Sequence, residues 1–504
     1  MARSAFVLAF IACVLSMLML YNGHNWGGDF SQYIAQSIAL IDNSIDSQIA
    51  NNTWIIQNSF DGLGPYIYPW GTSLLLAPIY KIFGFDLIAF KVLFCVLYGI
   101  FVGIFFYVCR QFVDIKFCII ATTLFALNPL FLNFNNNIIS DIPFMLFSFI
   151  SAFYLSKLLN YDFADIGGGG QNKQYNIIKY ALFGGVFAGL AYITRNNGIV
   201  IIVALLLCHL LVFVRFKHKI TFRRFYIVYF ALPYIMFIII AFTVDNIFGR
   251  GGSGHLELLS QISLKSIVRN CIYYTFIFGE FFALPTLKFD FKYSLLLPNL
   301  GFILFALSIP LIWQGIKSCF HTAKMQTIFI VLFMLGNMTL LILWPGLQGI
   351  RFVFCVIPFI VLFGIVGFTK TLKYQKIIKI TFITIMLFFI TKDCVYVYLN
   401  ATNQYRGLNA YSDSAKDIYG FIQQNLPQDS KIAFFKPRVL YLNTNRLSFY
   451  PLKDEDFLKC NFVLEYLPIK DENTMPQNPQ NREFLEKIYE NSEFILYKMP
   501  TFSS

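Results

Sequence analysis

The segment AFVLAFIACVLSMLMLYNGHNWGGDF, residues 5–30, decides the fold. Ala5 to Tyr21 is an apolar run interrupted only by Ser16, close to the roughly 20 residues that cross the hydrocarbon core of a bilayer. It lacks a small-residue cleavage site, so it reads as a retained span and not as a signal peptide. Immediately beyond stands Gly27-Gly28-Asp29-Phe30, which sets a carboxylate level with the lipid headgroups. Further along the same loop comes Tyr68-Pro69-Trp70-Gly71. An acid in that place is what an enzyme working on a lipid-carried substrate needs.

The rest of the chain agrees with a membrane protein. Of its 504 residues only 13% are charged, about half the share of a soluble domain. The net charge of +12 does not indicate nucleic acid. The basic residues fall in short loops between apolar runs and never line one polar face. The ten cysteines lie mostly inside apolar runs, with only Cys460 in the tail and no CxxC pair. Neither a disulfide framework nor a zinc site is expected.

Runs of spanning length occur near 5–21, 86–109, 117–133, 142–159, 177–193, 197–214, 225–244, 294–316, 326–344, 352–369 and 378–399. The fold class is therefore mainly α, a polytopic bundle of about eleven membrane helices. With the N-terminus in the cytoplasm, the inner segments collect Arg3, Arg110, Lys116, Lys157, Lys173, Lys179, Arg215 to Arg224, Lys317, Lys324 and Lys370 to Lys379. The short outer loops hold only Arg195 and Arg351. This is the positive-inside pattern, and it sets 22–85, 245–293 and the tail outside.

The outer segments carry readable elements. Ile34, Ile38, Ile41, Ile45 and Ile49 recur at helical spacing with Asp42, Asn43, Asp46 and Ser47 opposite. That stripe suits one helix, lying flat on the membrane or packed on the bundle. A second interfacial helix runs through Leu74, Leu75, Pro78, Ile79, Ile82 and Phe83 until Gly84 ends it. Two domains are expected: 1–399 in the membrane and an outer α/β tail, 400–504. In the tail, 412–426 and 483–489 read as helices, and 431–435, 462–465 and 494–497 as strands. Trp26, Trp70 and Trp344 fit an aromatic interface belt.

Four outer residues are candidates to carry chemistry. Asp29 begins a helix just past a span exit; the ordinary role for such a residue is a helix cap. Asp141, in Ser140-Asp141-Ile142-Pro143, stands at the mouth of the fourth span, where a cap is again the plain reading and a site the sharper one. Arg195, in Thr194-Arg195-Asn196-Asn197-Gly198, and Arg351, after Trp344-Pro345-Gly346, break the charge rule for outer loops. Snorkelling explains a lone arginine there; a pair beside two acids suits phosphate oxygens. The loop Gly249-Arg250-Gly251-Gly252-Ser253-Gly254-His255 lacks phosphate-loop spacing and reads as a mobile outer loop, from which Arg250 or His255 could close over a ligand. His24 is read as incidental.

Taken in order, these motifs resemble the polytopic glycosyltransferases of the class C (GT-C) fold. The broad group holds the dolichyl-phosphate-mannose protein mannosyltransferases and the bacterial lipid A aminoarabinose transferases. The resemblance rests on Asp29 with Tyr33 and Ala35, on Tyr68 to Gly71 with Leu74 to Pro78, and on Ser140 to Pro143. It continues through Thr194-Arg195, Arg351 with Pro358, and the tail segment Lys436-Pro437-Arg438-Val439-Leu440-Tyr441-Leu442 with Asn445-Arg446. It implies inverting transfer of a sugar from a polyprenyl-phosphate donor to an acceptor hydroxyl on the outer membrane face. Asp29 would be the base, Asp141 a second catalytic carboxylate, and Arg195, Arg351, Tyr68 and Arg250 the donor-phosphate set. The chain has Asp29-Phe30 where many members carry Asp-Glu, and Asp141 where they carry Glu, so a lipid, glycan or protein acceptor stays open. No cofactor is required by that chemistry, and no ligand cluster indicates a divalent metal. The implied setting is a bacterial inner membrane, tail outside. Two other readings stay open: a flippase of lipid-linked glycan, and a polysaccharide ligase or polymerase.

Overall fold

The computed structural model describes residues 2–59, 64–160, 171–216, 224–249, 262–282, 300–371, 375–402, 409–451, 453–468 and 485–500. A helix forms at every one of the eleven apolar runs. They are α1 (Ala2–Leu18), α5 (Leu87–Cys109), α6 and α7 (Ile115–Ala126 and Pro129–Phe134), α8 (Asp141–Leu159), α9 (Gln171–Thr194) and α10 (Ile199–Phe216). After these come α11 (Arg224–Phe248) and, beyond the short α12 (Leu264–Ile277), α13 (Leu300–Thr322), α14 (Lys324–Leu343), α15 (Ile357–Lys370) and α16 (Gln375–Ala401). Among the described residues nine helical stretches are long and apolar enough to cross a membrane, and α1 and α15 are shorter apolar helices. The crossing made by α6 and α7 is interrupted where the Asn128 side chain accepts from the Leu130 amide at 3.0 Å. Pro129 then starts the next turn without needing an amide partner. Glycines set the closest contact, between α13 and α15. A Cβ on Gly315 would collide with the Phe363 carbonyl, a small-residue crossing of the kind membrane helices use.

Between α1 and α5 stand three helices, α2 (Gly28–Ile41), α3 (Ile45–Gln57) and α4 (Trp70–Phe83). The isoleucine stripe thus belongs to two helices and not one. The chain breaks at Asp42–Ser44, where Asn43 takes a left-handed φ of 55°, a conformation asparagine tolerates. α2 does not lie flat on a membrane surface. It is buried on nearly every side, Gln32 and Gln36 included. The burial is workable because Gln36 exchanges hydrogen bonds with Tyr68, accepting from its amide and donating to its carbonyl, both at 3.1 Å. Gly84 ends α4 at φ 67°.

The tail forms a five-stranded sheet in the order β2-β1-β3-β5-β4. The strands are β1 (Lys431–Ala433), β2 (Leu447–Phe449), β3 (Phe462–Tyr466), β4 (Glu486–Glu490) and β5 (Phe494–Lys498). β2, β1 and β3 run parallel, and β5 and β4 antiparallel to their neighbours. Helix α17 (Asp413–Asn425) starts at Ser412, whose hydroxyl accepts from the Ala415 amide at 3.1 Å. Helix α18 (Pro437–Thr444) and β2 are additional to the tail elements that the sequence pattern marks. Of the helix expected at 483–489, residues 483 and 484 lie outside the described residues and 486–489 belong instead to strand β4. Its glutamates and lysine favour a helix locally, but the segment pairs with β5 as a charged edge strand.

The loop after α1 is pinned at both ends. Lys91, wholly buried, donates to the Tyr21 and Gly23 carbonyls at 2.8 and 2.5 Å. Trp26 is not a belt residue. It sits among Phe434, Phe435, Tyr466 and Phe494 of the tail at centroid distances of 5.7, 5.2, 5.1 and 6.2 Å. Trp70 is buried too, and its indole N–H donates to the Gly249 carbonyl at 3.2 Å. Replacing a buried aromatic by alanine costs about 3–5 kcal/mol. Trp26→Ala is therefore expected to release the tail, seen as faster protease cleavage between α16 and α17 in detergent. Equal resistance of variant and wild type would contradict this docking.

Candidate active site

Five of the six candidate residues come together at one end of the bundle, beneath the tail. Asp29 lies in the first turn of α2, whose N-cap is Gly27. Asp141 opens α8 after Ser140. Neither acid therefore serves as the cap that is its simplest reading. Arg195 follows the last turn of α9, and Arg351 sits in the 3-10 turn Ile350–Val353 between α14 and α15. Tyr68 precedes α4. Arg250 and His255 lie outside the described residues, as do Gly167–Gly170.

Arg351 bridges the two carboxylates. Its Nη2 donates to Asp29 Oδ2 at 3.0 Å, and its Nη1 lies 3.9 Å from Asp141 Oδ2. Arg195 Nη1 binds the other Asp141 oxygen. Phe352 lies against both guanidinium groups, at 4.2 Å from Arg195 and 4.9 Å from Arg351, a contact that suits planar cations. Asp29 Oδ1 accepts from the Tyr68 hydroxyl at 2.8 Å.

Exposure divides these groups into two layers. The Asp29 and Arg351 side chains are 38% and 30% exposed, while Asp141 is 1% exposed and Arg195 13%. Asp29 and Arg351 face an opening; Asp141 and Arg195 are a floor of opposite charges. Burial pushes the Asp29 carboxyl up, but the Arg351 guanidinium, the Tyr68 hydroxyl and Arg438 outweigh it and hold it below its usual range. It is a carboxylate at neutral pH. Burial works against the Arg351 charge, yet Asp141 and Asp29 override it and fix the group as a cation. Burial, with Asp29 adding, holds the Tyr68 hydroxyl above its ordinary range despite Arg438, so it keeps its proton.

Three supporting residues escaped the sequence reading. Arg438, on α18, donates from Nη1 to the Tyr68 hydroxyl at 3.0 Å. It belongs to a quoted tail motif, but nothing in its spacing points to Tyr68. Lys91 carried a usable signal, a lysine inside an otherwise apolar span. His24 is not incidental. Its ring stacks on Phe30 at 3.7 Å, and its Nε2 accepts from the Ile138 amide at 3.2 Å. Burial lowers its pKa to about 3, so it is a neutral wedge between the Asp29 loop and the Asp141 loop.

With Arg438 included, three guanidinium groups meet two carboxylates. The surplus is one positive charge, which a phosphodiester anion would neutralise. Among the described residues no three His, Cys, Asp or Glu side chains gather as a metal-holding group. An apolar cavity of about 990 Å³ lies elsewhere, between α6, α13, α15 and α16, and none of the candidate residues lines it.

The helix order, the helical first loop and the tail sheet define the class C glycosyltransferase fold. The aminoarabinose transferase ArnT from Cupriavidus metallidurans, in the apo state, superposes with a TM-score of 0.57 at 11% identity, covering 97% of each chain. Its complex with undecaprenyl phosphate gives 0.54 at 11% identity over 98% of each. The apo oligosaccharyltransferase of Archaeoglobus fulgidus gives 0.55 at 12% identity, covering 99% of this chain and 74% of that one. No protein-family model and no curated protein sequence matches the chain.

Proposed function

We propose that the protein is an inverting glycosyltransferase that moves a sugar from a polyprenyl-phosphate donor to an acceptor hydroxyl. The observation that carries this reading is the partly open Asp29–Arg351 pair, a low-pKa carboxylate touching a cation in a site with one surplus positive charge. The ArnT structure holds undecaprenyl phosphate, a ligand of the chemistry this charge balance suits.

In this mechanism the donor phosphate lies against Arg351. Asp29 accepts the proton of the acceptor hydroxyl as that oxygen bonds to the anomeric carbon. The bond between that carbon and the phosphate oxygen breaks on the opposite face, through an oxocarbenium-like transition state. The electron pair leaves with polyprenyl phosphate, and Arg351 stabilises the growing charge. Asp141 works from beneath, holding Arg195 and Arg351 in place. Arg250 belongs to the same proposal as a further phosphate ligand. The tail, 400–504, is the outer domain of the enzyme, and the setting is a bacterial inner membrane with the N-terminus cytoplasmic.

Proteoliposomes loaded with a polyprenyl-phosphate sugar, labelled in the sugar, test the reading. Transfer predicts label in acceptor or water and free polyprenyl phosphate. A flippase would move the label across the bilayer with the phosphate–sugar bond intact, which would overturn the proposal. A ligase or polymerase would break the bond only when a glycan chain is supplied.

Gly71 supplies a second test. A Cβ here would meet Thr194 Oγ1 at 2.7 Å and the Ile193 carbonyl at 2.8 Å. The start of α4 therefore presses on the backbone that carries Arg195. A misplacement of roughly 1 Å can cost about 10²-fold in rate. Gly71→Val is expected to lose turnover on that scale; wild-type kcat in the variant would mean that the close approach does not position the site.

A further inference from the structure

Arg438 reaches the site from the tail and is 4% exposed. Its fork is occupied on every side. Nε donates to Asn52 Oδ1 at 2.9 Å, Nη2 to the Pro65 carbonyl at 3.0 Å, and Nη1 to the Tyr68 hydroxyl at 3.0 Å. A guanidinium only donates, and a phenol has one proton to give. Because Arg438 occupies a lone pair of the Tyr68 oxygen, the Tyr68 proton turns to the remaining neighbour, Asp29 Oδ1, at 2.8 Å.

We infer that Arg438 is a positioning residue that turns the Tyr68 hydroxyl onto Asp29 and so makes the tail a working part of the site. This rests on the reading of Asp29 as the base. The relay fixes one Asp29 oxygen while Arg351 fixes the other, which sets the direction of the free lone pairs. It also couples three separate pieces of chain: α3 through Asn52, the loop before α4 through Pro65 and Tyr68, and the tail through Arg438. A tail that lets go of Trp26 would withdraw Arg438 as well and release the Tyr68 rotor.

The charged and titratable groups facing Asp29 are Arg351 from the 3-10 turn, Tyr68 from the loop before α4, Arg438 from α18, and His24 and Tyr33 from its own segment. Asp141 and Arg195 stand behind Arg351. Of these, Arg351, Tyr68 and Arg438 favour the ionised carboxyl. Removing Arg438 takes away one favourable charge and frees the Tyr68 proton to point elsewhere, so the Asp29 carboxyl must titrate at higher pH.

The experiment is pH-dependent labelling of the full chain in detergent by dicyclohexylcarbodiimide, which attaches to protonated carboxyls, with the Asp29 peptide quantified by mass spectrometry. In Arg438→Met the half-labelling pH is expected to rise by about one unit, the low end of what a neighbouring cation does to a carboxylate. Arg438→Lys, which keeps the charge and loses the fork, is expected between the two. Tyr68→Phe raises the midpoint as well, and the double variant falls short of the sum of the singles, because the two residues act in series. A wild-type midpoint in Arg438→Met, or strict additivity, would overturn the inference. Should Arg438→Met fail to fold, Tyr68→Phe decides alone, since an unmoved midpoint there removes the relay. The labelling needs no turnover, so it is separable from the functional reading: sugar transfer by Asp29→Asn would sink that reading and leave the relay standing.

Discussion

Asp29→Asn is expected to transfer sugar about 10²–10⁴-fold more slowly than wild type, the usual contribution of a general base. Binding of polyprenyl phosphate should survive the change. The amide keeps the volume of the carboxyl, and its one carbonyl oxygen can still accept from Arg351 or from the Tyr68 hydroxyl, which touch separate oxygens of the acid. What it cannot do is take a proton. The loss should therefore fall on kcat, with KM for the donor near its wild-type value. If the loss lay in KM alone, Asp29 would be a binding group and the acceptor proton would have to go elsewhere. Assays of both constants with a polyprenyl-phosphate sugar decide between the two.

The second large effect is expected at Arg351. Arg351→Gln should lose about 10²–10³ in kcat, the range for removing one donor to developing negative charge. It should also change the acid limb of the pH profile. In the wild type the Asp29 carboxyl is held below its usual range, so the base is present at neutral pH and is lost only as pH falls through that lowered value. Burial is the largest influence on Asp29, and it pushes the carboxyl up; Arg351 is the first group that opposes it. Without Arg351 the acid limb must move to higher pH, toward or above the ordinary aspartate value of about 3.9. Arg351→Lys keeps the charge but cannot bridge Asp29 and Asp141 with two separate nitrogens, so its limb should move less while kcat still falls. A limb in Arg351→Gln that stays where the wild type has it would show that Arg351 does not set the Asp29 charge.

The contrast between what was and was not legible is physical. Asp29, Asp141, Arg195 and Arg351 could be read as a group because each breaks a rule of its surroundings. An acid or an arginine at the outer end of an apolar run is conspicuous, and alternation of spans then forces all four to one face. The spans themselves announce their positions by length and hydropathy alone. Arg438 offered no such signal. It lies in a tail of ordinary composition, and only the folded tail, docked on Trp26 and with α18 packed on α2 and α3, brings it to Tyr68. Trp26 and Trp70 are read wrongly for a related reason: indole in a loop beside a span suits a lipid interface, and nothing local distinguishes that from burial against a distant part of the chain, the tail sheet for Trp26 and the end of α11 for Trp70. In β4, local propensity pointed to a helix, and pairing with β5 overrode it. The break at Asn43 was written in turn-forming residues, Asp42-Asn43-Ser44, but the regular isoleucine spacing on either side concealed it.

The most direct test of the central claim is photo-crosslinking with undecaprenyl phosphate that carries a diazirine on the isoprene unit next to the phosphate. The account predicts adducts on the peptides that hold Tyr68, Arg195 and Arg351, suppressed by excess unmodified undecaprenyl phosphate. Adducts confined to the apolar cavity between α6, α13, α15 and α16, or to the opposite ends of the spans, would contradict it. The carrier's phosphate would then never come near the carboxylate of Asp29.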